Sequence, residues 1–135
     1  EGISLIPWSP LAGGFLTGKF TREVNQAGDS RRDSFDFPPL NKEKAYEIID
    51  LMGRIAGNHN VSIAQVALAW LRNKPGVTSV IIGAKKLEQL LDNIASVDLN
   101  ISPEEMKSLD EKSALMPEYP AWMIERQGQG RTQQQ

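Results

Sequence analysis

Two lysines stand where an apolar segment turns into a helix, and this corner is well suited to bind an anion. Residues 77–82 are followed at once by Gly83, Ala84, Lys85 and Lys86, and then by a helical pattern. The free backbone N–H groups at a helix N-terminus attract anions, and two ammonium groups add positive charge. We therefore expect a phosphate-bearing ligand at this strand–turn–helix corner.

The segments around the corner predict a parallel sheet. Residues 77–82 show almost no polar alternation, which is typical of a strand buried on both faces. Residues 3–8 predict a second such strand, which ends at Pro7 and the Ser9-Pro10 turn. Parallel sheets are covered by helices, and their ligands bind at the carboxyl ends of the strands. The predicted fold class is therefore α/β.

Four helical patterns accompany these strands. Asn41 is the predicted N-cap of the first helix and Gly57 its end, and Ser62 with Gln65 predicts a capping box for the second. The third helix, at about 87–97, should turn its apolar residues inward: Leu87, Leu90, Leu91, Ile94 and Ala95. Ser102-Pro103 starts the fourth, with Met106 and Leu109 inward. Residues 11–40 predict a long irregular loop, and residues 127–135 a disordered polar tail.

Composition excludes several classes of function. The chain has 135 residues, a net charge of −2 and no cysteine, and its one histidine is His59. These values give no reason to expect nucleic acid or an anionic membrane as partner, and they exclude disulfides and histidine- or thiolate-rich metal sites. No apolar run reaches the length of a membrane span, so a cytoplasmic location is expected.

The first residues predict that the chain is part of a larger fold. It enters a strand-like segment at Ile3 without a preceding element, and two strands cannot close a sheet. The unpaired strand edges must then be covered by further chain or by self-association with a second copy.

Two sequence stretches carry a family resemblance. Residues 8–19, Trp-Ser-Pro-Leu-Ala-Gly-Gly-Phe-Leu-Thr-Gly-Lys, resemble the seventh-strand loop of the aldo-keto reductases. Gly83-Ala84-Lys85 with Gln89 and Asp92-Asn93 is similar to their eighth-strand cofactor turn, and residues 59–70 resemble the connecting helix. The resemblance is collinear from Glu1 to about Leu109. It implies the C-terminal part of a (β/α)8 TIM barrel, incomplete as given, with two parallel strands and about four helices over residues 1–126.

The resemblance implies that NADP(H) is the cofactor and gives each matching residue a role. Trp8 would stack on the nicotinamide. Gly83, Ala84 and Lys85 would surround the 2′-phosphate of NADP(H), and the Lys85 ammonium would select NADPH over NADH. The remaining positions would contact the pyrophosphate and ribose (Ser9, Pro10, Leu11, Ala12, Gly13, Lys19 and Arg31) or the adenosine (Gln89, Asp92 and Asn93). Without the resemblance, Trp8 would be a core residue, the glycines would only shape turns, and the charges would face solvent.

The implied activity is the NADPH-dependent reduction of aldehydes or ketones, with a small carbonyl compound or alcohol as substrate. The family's catalytic aspartate, tyrosine, lysine and histidine have no match in this chain, so we assign no catalytic residue and expect the chain alone to be inactive. Tyr46 falls in a helical pattern and Tyr119 in the C-terminal segment, where Tyr119 and Trp122 could flank a substrate pocket; His59 is expected at the surface. The alternatives are a non-catalytic NADPH-binding or regulatory module and an inactive fragment stabilised by self-association.

Overall fold

Four α-helices form the body of the part of the chain that the structure, a computed structural model, describes. The described residues are 2–20, 22–23 and 39–115. The helices are α1 (Lys42–His59), α2 (Ile63–Arg72), α3 (Leu87–Ala95) and α4 (Pro103–Ser113). Helix α1 packs against α2 and α4, and α3 packs against α2. The helix number agrees with the sequence-based prediction.

Two apolar clusters hold these helices together. Met52 of α1, Val66 of α2 and Leu109 of α4 meet in the larger cluster, and all three are almost completely buried. In the smaller cluster, the rings of Phe15 and Tyr46 lie 5.5 Å apart. Burying a large apolar side chain contributes about 1.5–3 kcal/mol, so these contacts dominate the stability of the helical layer.

The helix ends follow the predicted capping residues closely. Asn41 Oδ1 accepts a hydrogen bond of 3.2 Å from the Lys44 N–H. Helix α1 ends at His59 rather than at Gly57, because Asn60 adopts the left-handed conformation (φ 54°) that closes the helix. Ser102 and Glu105 form a complete capping box at α4.

The predicted capping box at α2 is only half formed. Ser62 Oγ accepts from the Gln65 N–H at 3.1 Å, as a capping box requires. The Gln65 side chain, however, donates to Asp92 on α3 instead of returning to the Ser62 backbone. The sequence pattern could not show that a carboxylate from another helix competes for this amide.

The two extended segments lie parallel, but the described residues contain no regular strand. They are joined by one bridge, between Leu5 and Val77, and by a hydrogen bond of 3.1 Å from the Ile81 N–H to Pro7 O. The Leu5 N–H donates to Gly76 O at 2.7 Å and Leu5 O accepts from the Thr78 N–H at 3.0 Å, which is the parallel pattern. The next donor in this ladder would be the N–H of Pro7, which proline lacks. The pair of full strands over 3–8 and 77–82 is therefore not confirmed beyond this bridge.

The prediction that these segments are buried on both faces is wrong for the described residues. Ile3, Leu5, Ile6 and Ile81 are each at least half exposed. Helix α3 departs from its prediction in the same way: the residues expected to face inward are exposed, namely Leu87, Leu90, Leu91, Ile94 and Ala95. Its buried residue is Asn93. No described element lies over the apolar side of α3, so its apolar pattern has no partner there.

Among the described residues, no helix combines the length and apolar character that a membrane crossing needs. The predicted disordered tail, residues 127–135, lies outside the described residues, as do Arg31, Tyr119 and Trp122.

Candidate functional site

A cavity of about 580 Å³ opens where the two extended segments end and α3 begins. This volume lies within the range of about 300–1,000 Å³ that is typical of ligand sites. Its wall is formed by the loop that follows the first segment, by the turn that leads into α3, and by one face of α3. The cavity is therefore at the strand–turn–helix corner predicted from the two lysines.

Twelve of the fourteen predicted cofactor-binding residues line this cavity. They are Trp8, Ser9, Pro10, Leu11, Gly13, Lys19, Gly83, Ala84, Lys85, Gln89, Asp92 and Asn93. Ala12, although it lies between two lining residues, is not part of the wall, and Arg31 lies outside the described residues. Residues separated by more than seventy positions in the sequence thus meet around one space.

Six further residues line the cavity and were missed by the sequence analysis: Gly14, Thr17, Ser62, Ala64, Ile81 and Ile82. Ile81 and Ile82 end the second extended segment, so their position next to the Gly83 turn was an available signal. Ser62 carried a signal for helix capping only, because its contribution to the cavity depends on how α2 packs against α3.

The loop after Trp8 holds an unusual backbone conformation. Ser9 and Ala12 have positive φ angles, 56° and 50°, which residues with a Cβ atom rarely adopt. Each such residue costs on the order of 1 kcal/mol, and strain of this kind concentrates at functional sites. The loop then forms short helical turns over Ala12–Thr17, interrupted by positive φ angles at Gly13 and Gly14, and its Phe15 is buried against Tyr46. Trp8 itself is 58% exposed, so its ring offers an accessible apolar surface at the cavity.

Gly18 fixes the far end of this loop against α2. Its φ angle is 80°, and a Cβ atom at this position would lie 2.6 Å from Ile63 Cδ1. Only glycine meets both conditions without strain. The contact places the loop beside the N-terminus of α2, from which Ser62 and Ala64 reach the cavity.

The turn at residues 83–86 presents backbone donors at the N-terminus of α3. Within the described residues, no side chain caps this helix; its N-cap position is Lys86. Lys85 N–H donates to Gln89 Oε1 at 3.0 Å. Uncapped N–H groups beside an ammonium group form a suitable environment for an anion. Open space surrounds Gly83, where an added Cβ would meet no atom within 4 Å.

Helix α3 contributes polar side chains deeper in the cavity. Asp92 Oδ2 accepts a hydrogen bond of 2.7 Å from Ser62 Oγ, and Asp92 Oδ1 accepts one of 2.6 Å from Gln65 Nε2. The neighbouring Asn93 is only 6% exposed. The arrangement provides acceptors and amide groups, which can recognise the edge of a heterocyclic base.

Two residues considered for catalysis lie elsewhere. Tyr46 is 5% exposed and packs in the aromatic cluster with Phe15, so it does not reach the cavity. His59 Nε2 lies 2.9 Å from Glu105 Oε2 and connects the end of α1 to the start of α4. Within the described residues, no group of three or more acidic or histidine side chains is placed to hold a metal ion.

Comparison with known proteins identifies the family. The sequence profile of the Aldo/keto reductase family matches residues 1–114. The chain belongs to this family. Among its curated relatives, L-glyceraldehyde 3-phosphate reductase of Escherichia coli (strain K12) is 33% identical over 119 residues, which cover 84% of this chain and 34% of that protein.

Other aldo-keto reductase relatives differ in their names. A putative aryl-alcohol dehydrogenase of Schizosaccharomyces pombe is 35% identical, with 86% of this chain and 32% of that protein covered. A probable voltage-gated potassium channel subunit beta of Oryza sativa subsp. japonica is 36% identical, with 73% and 31% covered.

A solved structure agrees with the family assignment. A thermostable aldo-keto reductase crystallised with the inhibitor epalrestat superimposes with a TM-score of 0.52 and 27% identity. The match covers 82% of this chain and 30% of that chain. The fold is therefore part of the aldo-keto reductase (β/α)8 barrel. The chain spans about a third of the length of the relatives it matches.

Proposed function

We propose that this chain provides the NADP(H)-binding part of an aldo-keto reductase that interconverts aldehydes or ketones with alcohols. The observation that carries the proposal is the single cavity that brings the Trp8–Gly13 loop together with the Lys85 turn and Asn93. A dinucleotide is long enough to contact the Trp8–Gly13 loop with one end and the Lys85 turn with the other. When bound, its nicotinamide supplies the hydride for carbonyl reduction.

The residues present fit this cofactor. Trp8 offers an accessible ring that would stack on the nicotinamide and select the face it presents. Lys19 and the strained loop line the cavity and would contact the pyrophosphate, and the α3 terminus with Lys85 would hold the 2′-phosphate. Asp92 and Asn93 would bind the adenine. The role of Arg31 at the pyrophosphate stays a prediction.

We assign no proton donor to this chain, since Tyr46 is buried away from the cavity. Its function is to bind and orient the cofactor, and the chain alone is expected to be inactive. An aldo-keto reductase chimera tests this division. Residues 1–114 would replace the matched third of the Escherichia coli L-glyceraldehyde 3-phosphate reductase, and NADPH oxidation would be followed with simple aldehydes. We expect the chimera to turn over. A Lys85→Ala substitution in it should raise KM for NADPH about tenfold or more while kcat changes little.

A second candidate is a non-catalytic NADPH-binding module. It is supported by the 36% identity to the rice protein named as a potassium channel β subunit. Fluorescence separates the two candidates, because Trp8 lines the cavity and a reduced nicotinamide stacked on it would quench its emission. Quenching by NADPH that is lost in Trp8→Leu, without turnover in the chimera, would favour the binding module. Quenching together with turnover would favour the reductase, and absence of both would refute the two candidates.

A further inference from the structure

Both carboxylate oxygens of Asp92 are held by residues at the start of α2. Ser62 Oγ donates to Oδ2 at 2.7 Å, and Gln65 Nε2 donates to Oδ1 at 2.6 Å. Ser62 Oγ also accepts from the Gln65 backbone N–H at 3.1 Å. We call Ser62, Gln65 and Asp92 the Asp92 network. All three side chains are partly buried, where such hydrogen bonds are stronger than in water.

The network fixes an acceptor in the cavity wall. A carboxylate has about four lone-pair positions, so two remain after Ser62 and Gln65 have donated. Asp92 lines the cavity beside the buried Asn93, and Ser62 lines it from the opposite helix. A side chain bound at both oxygens cannot rotate freely, and its remaining lone pairs therefore keep a constant direction.

We propose that Ser62 and Gln65 are positioning residues for the base of the bound nucleotide and act through Asp92. By holding the carboxylate, they keep its remaining lone pairs available to an exocyclic amine, the group that distinguishes adenine from hypoxanthine. A carbonyl in that place would face a carboxylate with no proton between them. The inference rests on the proposed function and adds to it two residues that select the base.

The test uses NADP⁺ and deamino-NADP⁺, in which a carbonyl and a ring N–H replace the amine and the unprotonated N1 of adenine. Isothermal titration calorimetry on the full chain measures the Kd of each. We expect the protein to prefer NADP⁺ by tenfold or more. Ser62→Ala and Gln65→Met should each reduce this preference at least threefold, while the preference for NADP⁺ over NAD⁺ stays within twofold. Ser108→Ala is the matched control, because its hydroxyl donates only within α4, to Glu104 O.

Three outcomes overturn the inference. In the first, Asp92→Ala loses the preference for NADP⁺ over deamino-NADP⁺, but Ser62→Ala and Gln65→Met keep it. This result would show that Asp92 needs no positioning. Equal weakening of NADP⁺, deamino-NADP⁺ and NAD⁺ would show that the network only supports the fold. Failure of the unmodified chain to bind NADP⁺ at all would remove the proposed function together with the inference, whereas the first two results leave the proposed function standing.

A second measurement keeps the inference testable if one variant does not fold. The melting temperatures of Ser62→Ala, Asp92→Asn and the double variant report on the network without ligand. If the hydrogen bond is formed as described, the two shifts should be clearly non-additive. Additive shifts would show that the two side chains act independently, and the inference would fail.

Discussion

The backbone N–H of Lys85 donates a hydrogen bond of 3.0 Å to Oε1 of Gln89, four residues further along α3. A neutral amide oxygen thus accepts the hydrogen bond of a backbone N–H group at the mouth of the cavity. An amide oxygen is a weaker acceptor than a phosphate oxygen beside an ammonium group. Under the proposed function, a phosphate bound at this turn would therefore displace the Gln89 amide from the Lys85 N–H.

A negative charge at Gln89 should compete with the phosphate. Gln89→Glu keeps an acceptor for the Lys85 N–H but places a carboxylate beside the proposed 2′-phosphate site. We expect the affinity for 2′,5′-ADP to fall about tenfold or more at low ionic strength, because like charges repel. Gln89→Met, which keeps the length of the side chain without charge, should cost much less. Equal losses in both variants, measured by calorimetry, would argue against an anion at this turn.

Gly18→Ala should destabilise the protein by about 1–2 kcal/mol. The alanine would have to keep a φ angle of 80°, and its methyl group would lie 2.6 Å from Ile63 Cδ1. Gly57→Ala is the matched control. This residue lies inside α1, where an added Cβ would meet no atom within 4 Å, and alanine should stabilise the helix by up to about 1 kcal/mol. Urea unfolding measures both changes. Equal stability of the two variants would contradict the described loop packing.

The hydrogen bonds that Glu105 accepts predict a dependence of stability on acid pH. Burial raises the pKa of the Glu105 carboxyl, but the hydrogen bonds from the Ser102 N–H and from His59 together bring this pKa below its ordinary value. A carboxyl whose pKa is lowered in the folded state stabilises above the unfolded pKa, near 4.3, and loses this contribution as pH falls through the folded pKa.

Glu105→Gln should therefore cost about 1 kcal/mol at pH 7, and the difference from the unsubstituted protein should shrink below about pH 4. Melting temperatures recorded from pH 7 down to pH 3 would show this convergence. Glu104→Gln is a suitable control, since the adjacent Glu104 is exposed and has no such pair with His59. The predicted linkage would be contradicted if the melting temperatures of Glu105→Gln and of the unsubstituted protein differed by the same amount at every pH.

The exposed apolar side of α3 predicts self-association of the chain when it is studied alone. Leu87, Leu91 and Ile94 are each more than half exposed on this helix, and Leu5 and Ile81 of the two extended segments are exposed as well. An apolar patch of this kind favours association. Replacing Leu91 and Ile94 by glutamate should shift the protein toward monomer in sedimentation velocity, whereas Glu88→Gln should not. A monomeric unsubstituted chain at tens of micromolar would disprove the prediction.

The sequence predicted local features of the fold well. Asn41 and Ser102 are helix caps in the structure as their patterns indicated, since capping depends on a few neighbouring residues. The location of the cavity also followed from a local signal, the turn from an apolar segment into a helix at Lys85. Twelve of the residues that line the cavity, from both of its sides, followed from the family resemblance.

Other features could not be predicted because they depend on contacts distant in sequence. The apolar pattern of α3 indicated a buried face, but burial requires a partner element, and none of the described elements covers Leu91 or Ile94. The position of Gln65 fits a capping box in the sequence, but its side chain bonds instead to Asp92, which only the packing of α3 against α2 brings into reach. Likewise, the interruption of the parallel ladder at Pro7 depends on its alignment with residues 77–81.

Calorimetric titration of the full chain with NADP⁺ and NAD⁺, compared between the unsubstituted protein, Lys85→Ala and Lys86→Ala, tests the central claim most directly. The expected result is binding of NADP⁺ at least tenfold tighter than NAD⁺. This preference should be lost in Lys85→Ala and retained in Lys86→Ala, because Lys85 lines the cavity and Lys86 is not part of its wall. Equal affinity for the two dinucleotides in the unsubstituted protein, or a preference that survives in Lys85→Ala, would contradict a 2′-phosphate site at the start of α3.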